Sequence, residues 1–421
     1  EWAEQPPAQP ADFFPITAEG SITRLDEALA RRDNAEARAQ QKNYATRATN
    51  IFAVPEEHPH ILLAEAGTGT GKTLGYLAPS VEWAEQNEAP VWLSTYTKNL
   101  QQQVEAETEI LYPDAVERQR KVVIRKGRDN YLCLAKFEEL AAALPLTQDP
   151  KQVIAAGILS RWVGVRHDGD LTGTAFPGWL SGLLGFANTY GLADRHRECT
   201  YSACDHYRRC YVEGSRRRAA HARLVVGNHA LVMTQAALGY GGNHPPTRIV
   251  FDEGHHLFDA ADSAFATHFS VREGVELRRW ILGSTTQAGK QRQKGLARRL
   301  EGLITEEDEA ANAALDALLL AASELPAQGA MKRIETGKPK GAIEALLMHA
   351  MAQLRNRLEE KSLNDFGGEV ALHPLDEAFK AAIPDTLRVL TSIRTPMVKL
   401  AKALDEKLNS DDADASNARR L

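Results

Sequence analysis

The sequence predicts an α/β fold in which helices pack on both faces of a parallel sheet. A glycine-rich turn at 66–73 follows a short apolar run. Further short apolar segments at 91–95, 122–125, 224–226 and 249–251 alternate with helical patterns, and this alternation is typical of parallel sheets. In such folds ligands bind at the carboxyl ends of the strands. We therefore expect the functional residues at that edge of the sheet.

Composition sets broad limits on the function. The 421 residues are 43% apolar and 25% charged, as expected of a soluble chain of roughly two to four domains. The net charge of −6 gives no overall sign of nucleic-acid binding, but residues 195–223 hold eight arginines against three acids. No apolar run reaches the ~18 residues of a membrane span, and the N-terminus lacks the pattern of a signal peptide. We expect a cytoplasmic protein that does not bind membranes.

The chain opens with a proline-rich extended segment at 1–20 and a helical segment at 21–52. The helical segment contains Arg38 and Gln41. A glutamine amide offers both a donor and an acceptor, so this pair is a candidate for reading an adenine edge. The alternative is a solvated helix face.

The glycine-rich turn is a predicted cradle for nucleotide phosphates. The apolar run Ile61–Ala64 predicts a buried strand that leads into it, and a helix is expected to start near Lys72 with its amides facing the anion. Lys72 would contact the β and γ phosphates, and the Thr73 hydroxyl would bind Mg²⁺.

The turn matches the relaxed form of the P-loop pattern, because Ala66 stands where the strict form has glycine. Its glycines allow the backbone to approach phosphates without a Cβ clash. A flexible loop is the alternative, but it would not need the flanking apolar run or the Lys-Thr pair. The predicted nucleotide-binding residues are Arg38, Gln41, Ala66, Gly67, Thr68, Gly69, Thr70, Gly71, Lys72 and Thr73.

Two acids follow the apolar segment 249–251. In P-loop ATPases the acid at the strand end binds Mg²⁺ and its neighbour activates the attacking water, so Asp252 is the predicted metal ligand and Glu253 the predicted general base. His255 is a candidate sensor of the γ-phosphate. The alternatives are acids that cap a helix and an ordinary surface histidine.

The four cysteines fall between the P-loop and the acid pair, in a span, 127–222, without a clear strand pattern. Cys133, Cys199, Cys204 and Cys210 are separated by 65, four and five residues. In a cytoplasmic protein such a group indicates metal binding rather than disulfides. The spacing favours an iron–sulfur cluster over structural zinc, which usually takes two close pairs, and unrelated thiols remain a third interpretation.

From about residue 260 the pattern is almost wholly helical. Amphipathic helices are predicted at 310–325, 342–363 and 374–408. We interpret them as one helical insert.

These motifs together closely resemble those of the iron–sulfur superfamily 2 DNA helicases of the XPD/DinG type, nearest the bacterial DinG-like branch. The resemblance covers residues 38–258. Residues 64–73 resemble motif I, residues 93–103 resemble motif Ia, and residues 252–255 resemble motif II. Residues 126–133 resemble the segment with the first cluster ligand, and residues 226–231 resemble the segment that re-enters the motor.

The resemblance implies a RecA-like motor domain, formed by 1–126 and 223–260, with an iron–sulfur cluster domain at 127–222 and a helical arch domain at 261–421. It implies that the four cysteines hold a [4Fe-4S] cluster and that Arg38 and Gln41 belong to an adenine-reading Q-motif. It also implies contacts to single-stranded DNA from the basic span and from motif Ia, and the candidates are Thr95, Thr97, Arg216, Arg217 and Arg218.

The function that the resemblance implies is an ATP-dependent DNA helicase. Such an enzyme moves 5′ to 3′ on single-stranded DNA and unwinds forked or structured duplexes in DNA repair. It is expected to act as a monomer, and its cofactors are ATP, Mg²⁺ and the cluster. One alternative is a nucleic-acid-binding accessory module with an ATP switch site and a structural Cys₄ metal site, although the intact Glu253 argues against it. Another is a zinc-stabilised ATPase unrelated to helicases.

The sequence departs from the family pattern in places. Gly254 replaces the alanine usual in the DEAH box, and we find neither a Ser-Ala-Thr like motif III nor a Gln-x-x-Gly-Arg stretch after residue 260. The chain begins at Glu1 and ends in a polar run. We therefore expect the N-terminal part of a longer helicase, which ends before a second motor domain and is by itself inactive in ATP hydrolysis.

Overall fold

The structure is a computed structural model. It describes residues 13–32, 38–54, 59–67, 69–146, 149–166, 168–173, 175–184, 191–194, 199, 201, 204–239, 245–283, 295–358 and 368–408. The chain forms two compact units, Glu1–Ala266 and Thr267–Leu421. Within the described ranges no helix combines the length and the apolar character needed to cross a membrane.

The first unit contains a four-stranded parallel sheet. Its strands are β1 (Val91–Thr95), β2 (Val122–Ile124), β3 (Leu224–Asn228) and β4 (Ile249–Phe251), in the order β2-β3-β1-β4. Leu93 in β1 lies opposite Val226 in β3 and Val250 in β4. The predicted α/β class and all four of these strand positions are confirmed.

The first unit also contains helices before, between and after these strands. They are α1 (Ala18–Ala30), α2 (Ala39–Phe52), α3 (Lys72–Gln86), α4 (Lys98–Leu111), α5 (Ala115–Lys121), α6 (Leu134–Ala143), α7 (Pro150–Val165), α8 (Leu180–Leu184), α9 (Tyr211–Ala220), α10 (His229–Ala237) and α11 (Leu257–Phe265). Polar caps fix several starts: the Thr97 hydroxyl accepts the Leu100 N–H, and the Asn228 side chain accepts the Leu231 N–H. These caps hold the first turns of α4 and α10 at the carboxyl ends of β1 and β3.

Among the described residues three apolar cores support the first unit, and a small one contains Trp92, Val225 and Val232. Another packs α1, α2 and α3 against the sheet and contains the fully buried Trp83, Leu77 and Leu224. The third lies within residues 132–211, where Trp162 meets Phe176 edge to face at 5.2 Å. The cysteine-containing span therefore has apolar packing of its own.

The predicted buried strand at Ile61–Ala64 is wrong. The segment is not part of the sheet, and the side chains of Ile61 and Leu63 are 85% and 91% exposed. An apolar run becomes a buried strand only where a neighbour supplies hydrogen bonds and covers its side chains. The four described strands form a sheet that does not include this segment.

The second unit is helical, as predicted. Its helices are α12 (Val271–Leu282), α13 (Leu296–Arg299), α14 (Glu309–Ala322), α15 (Ala330–Glu335), α16 (Gly341–Arg357) and α17 (Glu377–Leu408). Ser270 and Glu273 form a capping box at the start of α12. The buried Leu318, Ile343 and Ile393 bring α14, α16 and α17 into one core.

Candidate nucleotide site and cysteine cavity

The glycine-rich turn has a backbone that requires glycine. Gly69 and Gly71 have φ of 76° and 78°, in the left-handed region. A Cβ on Gly71 would lie 2.2 Å from Gln41 Nε2. Helix α3 begins directly after Gly71, at Lys72, so its first amides face the turn, as the P-loop pattern predicts.

Arg38 and Gln41 both contact this turn. The buried Gln41 donates from Nε2 to the Gly71 carbonyl at 2.9 Å, and the Arg38 guanidinium donates to the Gly69 carbonyl. In this structure both side chains brace the loop, and their role in reading adenine stays a prediction.

The other loop residues are less enclosed. Ala66 is half-buried and Gly67 is exposed. The Thr70 hydroxyl donates to the Gly67 carbonyl at 2.8 Å, which closes the turn. Thr68 lies outside the described residues.

The acid pair lies at the end of β4, beside the turn. Asp252 continues the strand direction, since its N–H donates to the Ser94 carbonyl at 2.8 Å. Glu253 has a φ of 55°, which is uncommon for a residue with a Cβ. Its Oε1 lies 3.1 Å from Lys72 Nζ, and its Oε2 lies 3.6 Å from Nδ1 of the exposed His255. The structure thus joins the predicted phosphate-binding lysine to the predicted general base.

Asp252 is half-buried. Burial raises the pKa of its carboxyl, and the neighbouring Glu253 charge raises it further, while Lys72 opposes both effects. The buried Tyr76 hydroxyl lies beside Asp252 and Thr73, and burial together with the Asp252 charge raises the pKa of Tyr76 well above its ordinary value. Thr73, Asp252 and Tyr76 therefore form a small polar group. A divalent cation bound there would reduce the repulsion between the carboxylates of Asp252 and Glu253.

Sequence reasoning missed two contacts around the acid pair. His229, at the first position of α10, is 1% exposed and shares a hydrogen bond from Nδ1 to Ser94 Oγ at 2.7 Å. Burial lowers the pKa of His229, and the carbonyl groups of Asp252 and Glu253 beside its ring oppose that effect. The position of His229 after a strand was the available signal, because the carboxyl ends of β1, β3 and β4 share one edge.

The second missed contact is an aromatic stack. Tyr96, just after β1, lies parallel to His256 with ring centroids 3.6 Å apart, and it is 46% exposed. The segment after β1 thus touches the turn that carries the acids. Sequence spacing alone gives no sign of this stack, since 160 positions separate the rings.

The four cysteines line one cavity in the first unit. Cys133 and Cys210 precede α6 and α9, and backbone N–H groups at the starts of these helices point toward their sulfurs. Burial raises the pKa of both thiols, and these amides oppose that rise. Among the described residues no three His, Cys, Asp or Glu side chains are close enough to hold one metal ion as they stand.

Arg128 crosses the wall of this cavity. It donates to Asp194 Oδ2 at 2.6 Å and to Glu213 Oε1 at 3.2 Å, and it lies beside Cys199 and over the Tyr201 ring. Amide donors and a guanidinium favour thiolates over thiols. The four thiols share this cavity, but as placed here they do not form a metal site.

The predicted DNA-contacting residues differ in exposure. Thr95 is fully buried and its hydroxyl donates to the Thr97 carbonyl at 3.3 Å, whereas Thr97 is exposed. Arg216 pairs with Glu213 at 3.2 Å, and Arg217 donates to the Arg208 carbonyl at 2.9 Å. Arg218 is the exposed member of that run.

Part of the chain is similar in sequence to named helicases. ATP-dependent DNA helicase YoaA from Haemophilus influenzae is 33% identical over 221 residues, which is 51% of this chain and 33% of that protein. YoaA from Escherichia coli is 32% identical over 225 residues, 52% of this chain and 34% of that protein. ATP-dependent helicase DinG from Mycobacterium tuberculosis is 32% identical over 260 residues, 58% of this chain and 38% of that protein.

Over about half of its length the chain is related to DinG-like helicases. The resemblance inferred from its motifs is thereby confirmed. The chain spans only about a third of the length of these DinG-like relatives. No protein-family model matches it.

Proposed function

We propose that this chain carries the ATP-binding site of an ATP-dependent DNA helicase. The observation that supports this most strongly is the 3.1 Å contact between Lys72 and Glu253, which joins a P-loop to an acid pair across 181 positions of sequence. The names of the related YoaA and DinG proteins give the same activity for those proteins.

In the proposed mechanism, the turn at 66–73 holds the phosphates of ATP and Lys72 moves from Glu253 to the β and γ phosphates. Thr73 and Asp252 would hold Mg²⁺, which would neutralise charge on the phosphates and on the acid pair. Glu253, released from Lys72, orients and deprotonates the attacking water, and His255 senses the γ-phosphate. Arg38 and Gln41 read adenine.

The finer features of the activity follow from the family resemblance. We propose 5′ to 3′ movement on single-stranded DNA, with forked or structured duplexes as substrates, in DNA repair, by a monomeric cytoplasmic motor. We propose that residues 1–126 and 223–260 form the motor domain, residues 127–222 the cluster domain and residues 261–421 the arch domain. The proposed DNA contacts are Thr95, Thr97, Arg216, Arg217 and Arg218. Thr97 and Arg218 are the strongest candidates because their side chains are exposed.

We also propose that Cys133, Cys199, Cys204 and Cys210 hold a [4Fe-4S] cluster. The support is their shared cavity, with amide donors and Arg128 around the sulfurs. To share a cluster the thiols must move closer together than they are here.

Nucleotide binding by the 421-residue chain tests the proposal. We expect a fluorescent ATP analogue to bind in the presence of Mg²⁺ and Lys72→Ala to weaken that binding by at least about tenfold, as loss of a charge-assisted contact implies. Lys332→Ala, at an exposed position of the second unit, is the matched control. Equal binding by Lys72→Ala and the control would overturn the proposed site.

A further inference from the structure

We infer that His229 is a positioning residue that fixes Glu253 and connects the segment after β1 to the acid pair. The inference rests on the proposed function, since it concerns how that same site is regulated. It makes His229 more than a buried histidine of the core.

The first step is the arrangement of the imidazole. The Ser94 side chain is fully buried, and its Oγ lies 2.7 Å from His229 Nδ1. The opposite nitrogen, Nε2, is buried and has no hydrogen-bond partner among the described residues. Backbone carbonyls of Asp252 and Glu253, which only accept, lie beside the ring. A Ser94 hydroxyl that donates to Nδ1 would leave the proton on Nε2, available to such an acceptor.

Glu253 has an unusual backbone conformation. Its φ of 55° places a Cβ-bearing residue in the left-handed region, which the backbone adopts only where its surroundings enforce it. The ring of His229 lies against Phe251, with centroids 5.9 Å apart, directly before the acid pair. A donor at Nε2 that bonds to one of these carbonyls would hold the turn and so set the direction of the Glu253 side chain.

His229 and the acid turn both contact the end of β1. Ser94 accepts the Asp252 N–H through its carbonyl and reaches His229 through its hydroxyl. Two residues later Tyr96 stacks on His256. The exposed Thr97 is a proposed DNA contact. A DNA strand bound there would displace a segment that contacts the acid turn at two points and His229 at a third. We infer that this path transmits DNA binding to the general base.

A pair of matched substitutions separates this role from simple packing. A glutamine amide nitrogen reaches the position of Nε2, whereas an asparagine reaches only the position of Nδ1. In the natural full-length protein, we expect His229→Asn to lower the kcat of DNA-stimulated ATP hydrolysis by on the order of tenfold to a hundredfold. The KM for ATP should change by less than about twofold, because the phosphate contacts are intact. His229→Gln should stay within about threefold of the parent.

Several results overturn the inference. It fails if His229→Asn and His229→Gln lose kcat equally, or if both match the parent. It fails as well if the loss in His229→Asn is in KM or is accompanied by a lower Tm, since either indicates a structural role alone. The parent and Glu253→Gln are measured beside them: a parent without DNA-stimulated hydrolysis contradicts the proposed function itself.

A second measurement does not depend on activity. Long-range ¹H–¹⁵N correlation on the histidine-labelled 421-residue chain reports which ring nitrogen carries the proton, and His229→Gln identifies the signal by its loss. We expect the proton on Nε2 in the parent, with the preference weakened in Ser94→Ala. A proton on Nδ1 would contradict the arrangement even if the enzyme is an active helicase.

Discussion

Lys72 Nζ lies 3.1 Å from Glu253 Oε1, so the proposed phosphate-binding lysine and the proposed general base neutralise each other in this structure. Both side chains are about one-third exposed, at 28% and 35%. A nucleotide must therefore compete with Glu253 for Lys72. In the proposed mechanism, Glu253 can act on water only after a phosphate has displaced it from Lys72.

The first prediction concerns this exchange. Glu253→Gln removes the competing charge, so the 421-residue chain with this change should bind Mg-ATP as tightly as the parent or up to about fivefold more tightly. A partly exposed ion pair contributes about 0.2–1 kcal/mol, which sets that range. Titration with a fluorescent ATP analogue measures it. Asp259→Asn, which removes an exposed acid nearby in sequence, is the control. Much weaker binding in Glu253→Gln would mean that Glu253 supports the loop rather than competing for Lys72.

The second prediction concerns pH. The pKa of Asp252 is raised in the folded chain, so its ionised form opposes folding at pH values above that pKa. The penalty shrinks as pH falls through the folded pKa and is absent below the unfolded value of 3.8. Without Mg²⁺, Asp252→Asn should therefore raise Tm at pH 7, by roughly 2–4 °C for each kcal/mol of penalty removed.

Thermal unfolding from pH 7 down to pH 4 checks this. The difference in Tm between Asp252→Asn and the parent should narrow toward the acid end. Added Mg-ATP should reduce or reverse it at pH 7, because only the parent has the carboxylate ligand. A difference that widens on acidification would contradict the sign of the pKa shift.

The third prediction concerns the cysteine cavity. Protein purified without oxygen should be brown and contain about four irons per chain, the content of a Cys₄ [4Fe-4S] site. Cys199→Ser should lower the iron content and weaken DNA unwinding by the full-length protein. Mg-ATP binding should be unchanged, because the nucleotide site lies on the sheet and the cysteine-containing span has its own core. Stoichiometric zinc with no iron would contradict the cluster.

The fourth prediction concerns the arginine run. Because Arg218 is exposed and Arg216 is paired with Glu213, Arg218→Ala should weaken single-stranded DNA binding more than Arg216→Ala. Each lost phosphate contact lowers the log–log salt slope by ~0.7 for single strands, whatever the DNA sequence. Binding isotherms at several salt concentrations give the slopes. An unchanged slope in Arg218→Ala would assign this run to an ordinary solvated face.

The sequence predicted the parts of the fold that depend on local pattern. Val91–Thr95, Leu224–Val226 and Ile249–Phe251 are short apolar segments bounded by turns, and each is a strand. The glycine-rich turn and the acid pair were selected from the sequence because their pattern is typical of phosphate and metal binding. The rule that parallel strands place their carboxyl ends on one edge predicted their proximity through a strand at Ile61–Ala64, which the described sheet does not contain.

What the sequence could not predict depends on neighbours distant in the chain. Ile61–Ala64 has the composition of a buried strand, but its exposure is decided by what pairs with it. Arg216 and Arg218 are alike in sequence but differ in the structure, because Arg216 pairs with the carboxylate of Glu213 whereas Arg218 is exposed. The contact of His229 with Ser94 joins positions 135 apart, and no periodicity reports such a pair.

The most direct test of the account is the steady-state ATPase rate with and without single-stranded DNA, for the 421-residue chain and the natural full-length protein. An arginine finger contributes on the order of 10³–10⁵ in rate in comparable enzymes, and the family resemblance assigns such arginines to a second motor domain. We predict DNA-stimulated hydrolysis by the full-length protein, its abolition by Glu253→Gln, and a negligible, DNA-independent rate for the 421-residue chain. DNA-stimulated hydrolysis that survives Glu253→Gln would contradict the central claim that Lys72 and Glu253 form the two sides of the ATP site.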